Sequence, residues 1–404
     1  MNVALDTLHC DTTSFSVSGD YLPDSSSSGL SEKEPLSVTY GYSKQKRPDL
    51  KQIVLGMGVP PQRIPIVAKV ENGNTSDVKW NMEFVQKLRE TLSEEDWSNL
   101  LYQADSALIS KGNLQDLAAH QLDFLSRLPD TFRLSTELKS KAWKNNKWEV
   151  IGELTSQTNG SNYRYQAFEE ELEGRLYRFL VVHSSQLEKQ KVKRIEADIQ
   201  KEHVTLTNAL DKLADMIFHC EADAEKARIA FEKKHKTNLH EYQLTIEIGE
   251  EPIKCERRGR PKKDEVTQTA TVYRVRLSSL EENQGKIDQK LRLLSTFILM
   301  TNRMDRSRLS DVDMLTTYKG QSAAETRFRL LKDAQMIDAV FVKTPERIEA
   351  LGIVYVMALL IYGMLEYRIR AEMKKQEEPL ILMGKRKLFE PTGQALLEQL
   401  NDVR

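Results

Sequence analysis

Polar and β-forming residues alternate along much of the N-terminal part of the chain. Residues 3–18 alternate weakly, and residues 50–57 and 64–70 form two further runs of this kind. The pattern predicts three strands, and their succession along the chain predicts an antiparallel meander. Asp11 lies inside the first predicted strand, where an aspartate is uncommon unless the strand is at an edge, contains a bulge or uses the carboxylate.

Helical spacing begins after the third predicted strand. The segment GNTSD at 73–77 predicts a helix start, since Ser76 or Asp77 can cap the first turn. A shorter helix is predicted at 110–119. The first of these helices is predicted to have a buried apolar face that consists of Phe84, Leu88 and Leu92.

Two apolar runs on either side of the shorter helix predict buried strands at 100–104 and 123–128. Strand–helix–strand order implies that these strands are parallel, with the helix on one face. A meander followed by such units describes the RNase H-like fold, an α/β architecture in which helices flank a mixed sheet. Asp105 directly follows the first of these strands, and open α/β sheets bind ligands at strand ends. Chemistry is therefore expected near Asp105.

The middle of the chain has a different pattern. A strand is predicted at 175–182, a highly charged helical region at 185–234, and two alternating strands at 242–248 and 271–277. We therefore expect an α+β insertion in the α/β domain. The predicted limits are 1–128 and 294–375 for the two parts of the α/β domain, 129–293 for the insertion and 376–404 for a C-terminal tail.

A long apolar helix is predicted from Pro345 to about Ala371, packed on the sheet. Its most apolar part, residues 351–365, is shorter than the ~20 residues that a bilayer span requires. A buried core helix is therefore expected. No signal peptide is recognisable in the sequence.

Composition is typical of a soluble globular protein, with 40% hydrophobic and 29% charged residues. The net charge is −1, so any affinity for nucleic acid has to come from local basic patches. Cys10, Cys220 and Cys255 are far apart and form no metal-binding pair, which indicates a reduced intracellular compartment. The sequence has no Gly-x4-Gly-Lys motif, so no energy cofactor is expected.

Residues 318–332, YKGQSAAETRFRLLK, have polar residues at helical spacing. No Gly or Pro interrupts the run after Gly320, and a single helix is predicted, with Phe328 and Leu331 on its apolar face. A polar stripe of this kind is also typical of an ordinary solvated helix face. The stripe consists of Tyr318, Gln321, Glu325 and Lys332, spaced three, four and seven residues apart.

The spacing Tyr-x2-Gln-x3-Glu-x6-Lys resembles the Tyr-Arg-Glu-Lys signature of a group of DDE transposases from bacterial insertion sequences, with Gln321 in place of the usual Arg. The segments LHCDTTSFSVSGDY at 8–21 and LLYQADSALIS at 100–110 resemble the places where that group carries its catalytic aspartates. GYSKQKRPDLKQIVLGMGV at 41–59, followed by GNTSD, is similar to one insertion-sequence subfamily. These segments occur in the expected order and cover most of the chain.

The resemblance implies a metal-dependent transposase whose catalytic and metal-binding residues are Asp11, Asp105 and Glu325. Two Mg²⁺ or Mn²⁺ ions are the expected cofactor, because hard cations prefer carboxylate oxygens and two of them can stabilise the attacking and leaving oxygens of a phosphodiester. Water would free a 3′-hydroxyl at the element end, and that hydroxyl would attack target DNA. Crowded carboxylates repel one another, so one of the three is expected to have a raised pKa without metal.

Double-stranded DNA is the expected partner, and no membrane association is expected. One group of residues that are expected to contact DNA belongs to the signature. A second group belongs to the basic cluster of Lys44, Lys46, Arg47 and Lys51, for which a solvated hairpin tip is the alternative. A third group lies in RGRP at 258–261, which resembles the core of an AT-hook, although a basic hairpin turn is the alternative. The residues expected to contact DNA are Tyr318, Gln321, Lys332, Lys44, Arg47, Arg258 and Arg260.

Synapsis of two DNA ends implies a homodimer, and the expected location is the bacterial cytoplasm at the nucleoid. Met1 lies only ten residues before Asp11, so the DNA-binding region that usually precedes this aspartate is expected to be missing. Other interpretations remain open. The chain could be a truncated, inactive or DNA-binding-only derivative of a transposase, or an RNase H-like nuclease that cuts DNA without strand transfer.

Overall fold

The computed structural model describes residues 5–17, 21, 36–154, 160–252, 269–332, 342, 344–381 and 387–401. The strands are β1 (Thr7–Val17), β2 (Lys51–Val59), β3 (Val67–Glu71), β4 (Leu101–Gln103), β5 (Asp123–Arg127), β6 (Glu149–Glu153), β7 (Asn162–Leu172), β8 (Arg175–Ser184), β9 (His240–Pro252), β10 (Thr269–Glu282), β11 (Thr296–Thr301), β12 (Leu380–Ile381) and β13 (Lys387–Leu388). The helices are α1 (Asp77–Thr91), α2 (Glu94–Asn99), α3 (Lys111–Ala119), α4 (Arg133–Asn145), α5 (Ser185–Ala214), α6 (Glu221–Lys234), α7 (Gln284–Leu294), α8 (Asp311–Lys319), α9 (Ser322–Leu331), α10 (Pro345–Met373) and α11 (Gly393–Asn401).

Nine of these strands form one mixed sheet in the order β3-β2-β1-β4-β5-β11-β8-β7-β6. β1 pairs antiparallel with β2, and β2 pairs antiparallel with β3, so the predicted meander is confirmed. β4 pairs in parallel with both β1 and β5, as the strand–helix–strand order predicted. β11 then pairs antiparallel with β5. Helices flank this mixed sheet, which is the predicted α/β, RNase H-like architecture.

The chain divides into two compact units. The first consists of Met1–Leu138, Gln166–Val181 and Ile298–Arg404, and the second of Lys139–Tyr165 and Val182–Phe297. In the second unit, apolar residues of α5 are buried with residues of α6, β9 and β10. The hairpin of β9 and β10 is antiparallel and pairs Thr269 with Pro252 at its outer end.

Helix α1 packs on the sheet for reasons that are visible in the sequence. The hydroxyl of Ser76 caps its first turn by accepting a hydrogen bond from the Lys79 amide at 3.3 Å. Trp80, Phe84 and their apolar neighbours then face the core. Trp80 lies directly over Gly56 of β2, where an added Cβ would lie 2.1 Å from the indole ring. Glycine at this position therefore allows the helix to approach the strand.

The opposite helical layer contains α9 and α10. Ala324, Phe328 and Leu331 of α9 are buried with residues of β2 and with Leu359 of α10. The Phe15 ring of β1 stacks on Tyr355 of α10, with ring centroids 6.2 Å apart. The prediction that the long apolar helix packs on the sheet is therefore confirmed.

Helix α10 is nevertheless buried on one face only, so the expectation of a buried core helix was wrong for its other face. Ile353, Val354, Met357 and Ile361 are 53–67% exposed. By length and apolar composition this helix is a candidate membrane span, the single one in the described part of the chain, and 28% of its most apolar window is buried. Its sequence alone did not distinguish the two faces, because apolar residues occur all round the helix.

Candidate active site

The sheet brings two of the predicted catalytic residues to one region. Asp11 lies near the middle of β1, opposite Met57 of β2. The other neighbour of β1 is β4, which is parallel to it and ends at Gln103, two residues before Asp105. His9 of β1 pairs with Gln103 of β4. Because parallel strands run in the same direction, Asp11 and Asp105 each lie two residues beyond this pair, in the same direction along the sheet.

Asp105 is held firmly at the end of β4. It caps the short 3₁₀ turn Ser106–Leu108, where its Oδ1 accepts a hydrogen bond from the Ala107 amide at 3.0 Å. Its carbonyl accepts a hydrogen bond from the hydroxyl of Ser126 on β5 at 2.7 Å. Burial raises the pKa of the Asp105 carboxyl, and the nearby charge of Asp77 raises it further.

Asp11 is more strongly perturbed. Its side chain is 21% exposed, and burial raises its pKa from 3.8 to about 6. Lys44 and the Thr12 amide lower that pKa, whereas the charges of Asp105 and Asp77 raise it. A raised pKa at the site was predicted from repulsion between carboxylates. The direction is confirmed, but removal of the carboxyl from water contributes more than the repulsion does.

A lysine and a third aspartate complete this part of the site. The Lys44 ammonium lies 3.2 Å from Asp77 Oδ2 and 3.8 Å from Asp11 Oδ1. It also donates to the Thr12 hydroxyl at 2.7 Å, and that hydroxyl donates to Asp77 Oδ1 at 2.5 Å. Lys44 was predicted to contact DNA, and its ammonium lies within ion-pairing distance of these two carboxylates.

Asp77 was not among the predicted site residues. The sequence identified it only as a possible cap of α1, and that role belongs to Ser76. The motif GNTSD was a usable signal, because it was one of the segments similar to an insertion-sequence subfamily. What the motif did not show is that Asp77 lies beside Asp11, 66 positions earlier in the chain.

The signature segment is not one continuous helix, and that prediction was wrong. Helix α8 ends with Gly320 as its C-cap, and α9 starts after Gln321, whose side chain makes no capping hydrogen bond. Gly320 packs against the imidazole of His9, which an added Cβ would approach to 3.1 Å. Burial lowers the pKa of His9 to about 4, so the ring is neutral at pH 7. The chain passes close to the sheet at this point, and the two helices meet there.

Electrostatic interactions connect the signature residues to the two aspartates. Burial raises the pKa of the Tyr318 hydroxyl, and the charges of Asp105 and Glu325 raise it further. Burial lowers the pKa of Lys332, the C-cap of α9, whereas the charge of Asp11 raises it. The Tyr318 carbonyl also accepts a hydrogen bond from Gln103 at 3.0 Å. Glu325 itself is exposed in the first turn of α9.

The remaining residues that were predicted to contact DNA lie in different environments. Gln321 is half-buried at the start of α9. The Arg47 guanidinium is paired with Asp49 at 2.7 Å, and both side chains are more than half exposed. Arg258 and Arg260 lie outside the described residues.

The donor chemistry of the site suits a hard divalent cation. Asp11 and Asp105 supply carboxylate oxygens, and burial raises the pKa of both in spite of Lys44, so a cation bound there would stabilise their ionised forms. Among the described residues, however, no three His, Cys, Asp or Glu side chains are grouped so that they could hold a metal ion. The oxygen donors are therefore present, but they do not form a closed cage.

Comparison with known proteins gives one finding. The family model described as "Transposase DDE domain" matches residues 11–361, and the match begins at Asp11. No curated protein matches the chain.

Proposed function

The chain belongs to the family of DDE-domain transposases, and on that basis we propose that it cuts DNA at the ends of an insertion sequence and joins the freed ends to target DNA. The family implies an enzyme that acts on DNA and generally uses divalent metal ions. The observation that carries the finer proposal is the pair of partly buried aspartates, Asp11 and Asp105. They lie on neighbouring parallel strands, each two residues beyond the pair His9–Gln103, and their charges interact.

We assign the catalytic roles to Asp11, Asp105 and Glu325, which would hold two Mg²⁺ or Mn²⁺ ions. When bound, these ions stabilise the attacking and leaving oxygens of the phosphodiester. Lys44, which lies 3.8 Å from Asp11, would bind a DNA phosphate next to the metal site. Lys332 would bind a second phosphate, and Tyr318 and Gln321 would contact the DNA through neutral hydrogen-bonding groups.

The overall reaction consists of a hydrolysis and a transesterification. In the first, water attacks the phosphodiester at the element end, which frees a 3′-hydroxyl and leaves the phosphate on the 5′ end of the other fragment. In the second, that hydroxyl attacks a phosphodiester of the target DNA, which forms a new phosphodiester and releases a 3′-hydroxyl of the target strand. Because two ends have to be joined together, we propose that two copies of the chain act in one complex. We propose that it acts in the bacterial cytoplasm, at the nucleoid, because its proposed substrate is DNA.

The test is a cleavage and strand-transfer assay with Glu325→Gln. The purified protein is incubated with Mg²⁺ and end-labelled DNA that flanks its own coding sequence, and cut products and products joined to a plasmid are quantified. Glu346→Gln is the matched control, because Glu346 is also an exposed glutamate in the first turn of a helix. We expect Glu325→Gln to lose both products and Glu346→Gln to retain them.

Two results would contradict the proposal. Undiminished cleavage by Glu325→Gln would remove Glu325 from the site. Cleavage by the unmodified protein without any joined product, under conditions in which precut ends with a free 3′-hydroxyl also fail to join, would identify a nuclease instead of a transposase.

A further inference from the structure

Helix α9 carries Glu325 but is too short to hold its own position. It has ten residues and is separated from α8 by the break at Gly320 and Gln321. Helices of this length are marginally stable by themselves, so their placement depends on tertiary contacts. One such contact is the apolar face formed by Ala324, Phe328 and Leu331.

A second contact is a buried ion pair. Arg327 is 1% exposed, and its Nη2 donates to Oε2 of Glu366 on α10 at 2.5 Å. Its Nε donates to the Arg63 carbonyl, before β3, at 2.6 Å. A single guanidinium therefore ties α9 to α10 and to the loop between β2 and β3. Glu366 is itself 4% exposed, and its Oε1 accepts a hydrogen bond from Arg370 at 2.7 Å.

The C-terminal segment encloses this pair. Arg370 Nε donates to the Pro391 carbonyl at 3.0 Å. The Tyr362 ring lies 5.3 Å from the Arg327 guanidinium, and the Tyr362 hydroxyl accepts a hydrogen bond from the Gln394 amide at 2.7 Å. The match to the transposase family model ends at residue 361, so the residues that support Arg327 from this side lie beyond it.

The arrangement around the axis of α9 shows what the pair can do. At about 100° per residue, Glu325 and Arg327 lie about 160° apart, on opposite sides of the apolar face centred on Ala324 and Phe328. Apolar contact alone is non-directional and resists rotation of a helix weakly. Hydrogen bonds from Arg327 to Arg63 and Glu366 are directional, and they fix that rotation.

We propose that Arg327 and Glu366 are positioning residues, which hold α9 in the rotation that presents Glu325 to the active site. This inference rests on the proposed function for its catalytic consequence. A buried ion pair is weak evidence for a stabilising role, because its replacement by apolar residues of similar size is often neutral or stabilising. The same replacement removes the directional contacts, which allows positioning to be separated from stability.

The experiment compares the double variant Arg327→Met/Glu366→Leu with the control Arg329→Met/Glu372→Leu. The control changes an exposed arginine of α9 and an exposed glutamate of α10 in the same way. Three quantities are measured on the full chain: the thermal midpoint, the hydrogen-exchange rates of amides 322–331, and the kcat of cleavage together with the Kd for DNA. A displacement of about 1 Å can cost about 100-fold in rate.

We expect the double variant to keep its thermal midpoint and its DNA affinity. Its α9 amides should exchange at least about tenfold faster, and its kcat should fall by about 100-fold, whereas the control matches the unmodified protein. Arg327→Lys keeps the charge but lacks the rigid planar arrangement of the guanidinium donors, so it should hold the two acceptors less well and give intermediate values.

Exchange rates and kcat that both match the unmodified protein would overturn the inference, and so would faster exchange with full kcat. Failure of the proposed function gives a different result. If the unmodified protein cuts no DNA but the double variant still loosens α9 at an unchanged thermal midpoint, the transposition proposal fails and the role of the pair in fixing α9 stands.

Discussion

Replacement of Asp11 by asparagine should stabilise the metal-free protein, and the gain should depend on pH. Burial raises the pKa of Asp11 from 3.8 to about 6, so the folded protein binds a proton at this group more tightly than the unfolded chain does. Below about pH 4 both states are protonated and the group has no effect on folding. As the pH rises through about 6, the folded state bears the full cost of a buried charge.

The magnitude follows from the two pKa values. At about 1.4 kcal/mol for each pH unit between them, the cost of the ionised carboxyl is about 3 kcal/mol above pH 6. The pKa of about 6 already includes the lowering effects of Lys44 and of the Thr12 amide. The asparagine of Asp11→Asn does not ionise, and its oxygen can still accept the Thr12 amide hydrogen bond, now 2.7 Å long.

Urea denaturation in EDTA at pH 4 and pH 8 provides the assay. The free energy of unfolding of Asp11→Asn should exceed that of the unmodified protein by about 2–3 kcal/mol at pH 8 and should differ little from it at pH 4. Asp116→Asn is the control, because Asp116 is exposed on α3. An equal change at both pH values, or a loss of stability at pH 8, would refute the account of Asp11 as a buried and electrostatically unfavourable carboxylate.

Two further predictions concern residues next to the site. Lys44→Met should raise the pKa of Asp11 further, because Lys44 lowers it. The pH at which Mg²⁺ binding is half-maximal, measured by calorimetry, should therefore rise. An unchanged pH midpoint would contradict the ion pair between Lys44 and Asp11. Gly320→Ala should lower the free energy of unfolding, measured by urea denaturation, by about 1–3 kcal/mol. The new methyl group would lie 3.0 Å from the Thr317 carbonyl and 3.1 Å from His9. An unchanged free energy of unfolding would show that α8 and α9 can move away from His9 without cost.

The sequence was sufficient for the half of the sheet that contains the two aspartates. Period-two alternation identified β1 and β2, and strand–helix–strand order identified β4 and β5 as parallel. The closeness of Asp11 and Asp105 follows from that topology, because the two strands are neighbours. Local pattern and chain order predicted the strands themselves. The pairing of β1 with β4 joins distant segments, and the grouping of Asp11 with Asp105 was predicted only from the family resemblance.

The features that the sequence did not reveal depend on contacts between distant segments. A single glycine is tolerated inside a helix, so nothing local showed that Gly320 would end α8 against His9. Asp77 had the local pattern of a helix start, and its ion pair with Lys44 forms only in the folded chain. The polar residue Arg327 lies beside an apolar face, and its partner Glu366 is 39 positions later.

The register of β1 has a consequence for how copies of this gene can lose function. Asp11 faces Met57 of β2, and its neighbours in the strand are Cys10 and Thr12. A one-codon deletion or insertion earlier in the strand would place one of those neighbours at the position of the carboxylate, because successive residues point to opposite sides of a sheet. The same shift would turn buried side chains of β1, such as Cys10, toward the other face of the sheet, so the packing of the strand and the candidate site would be lost together.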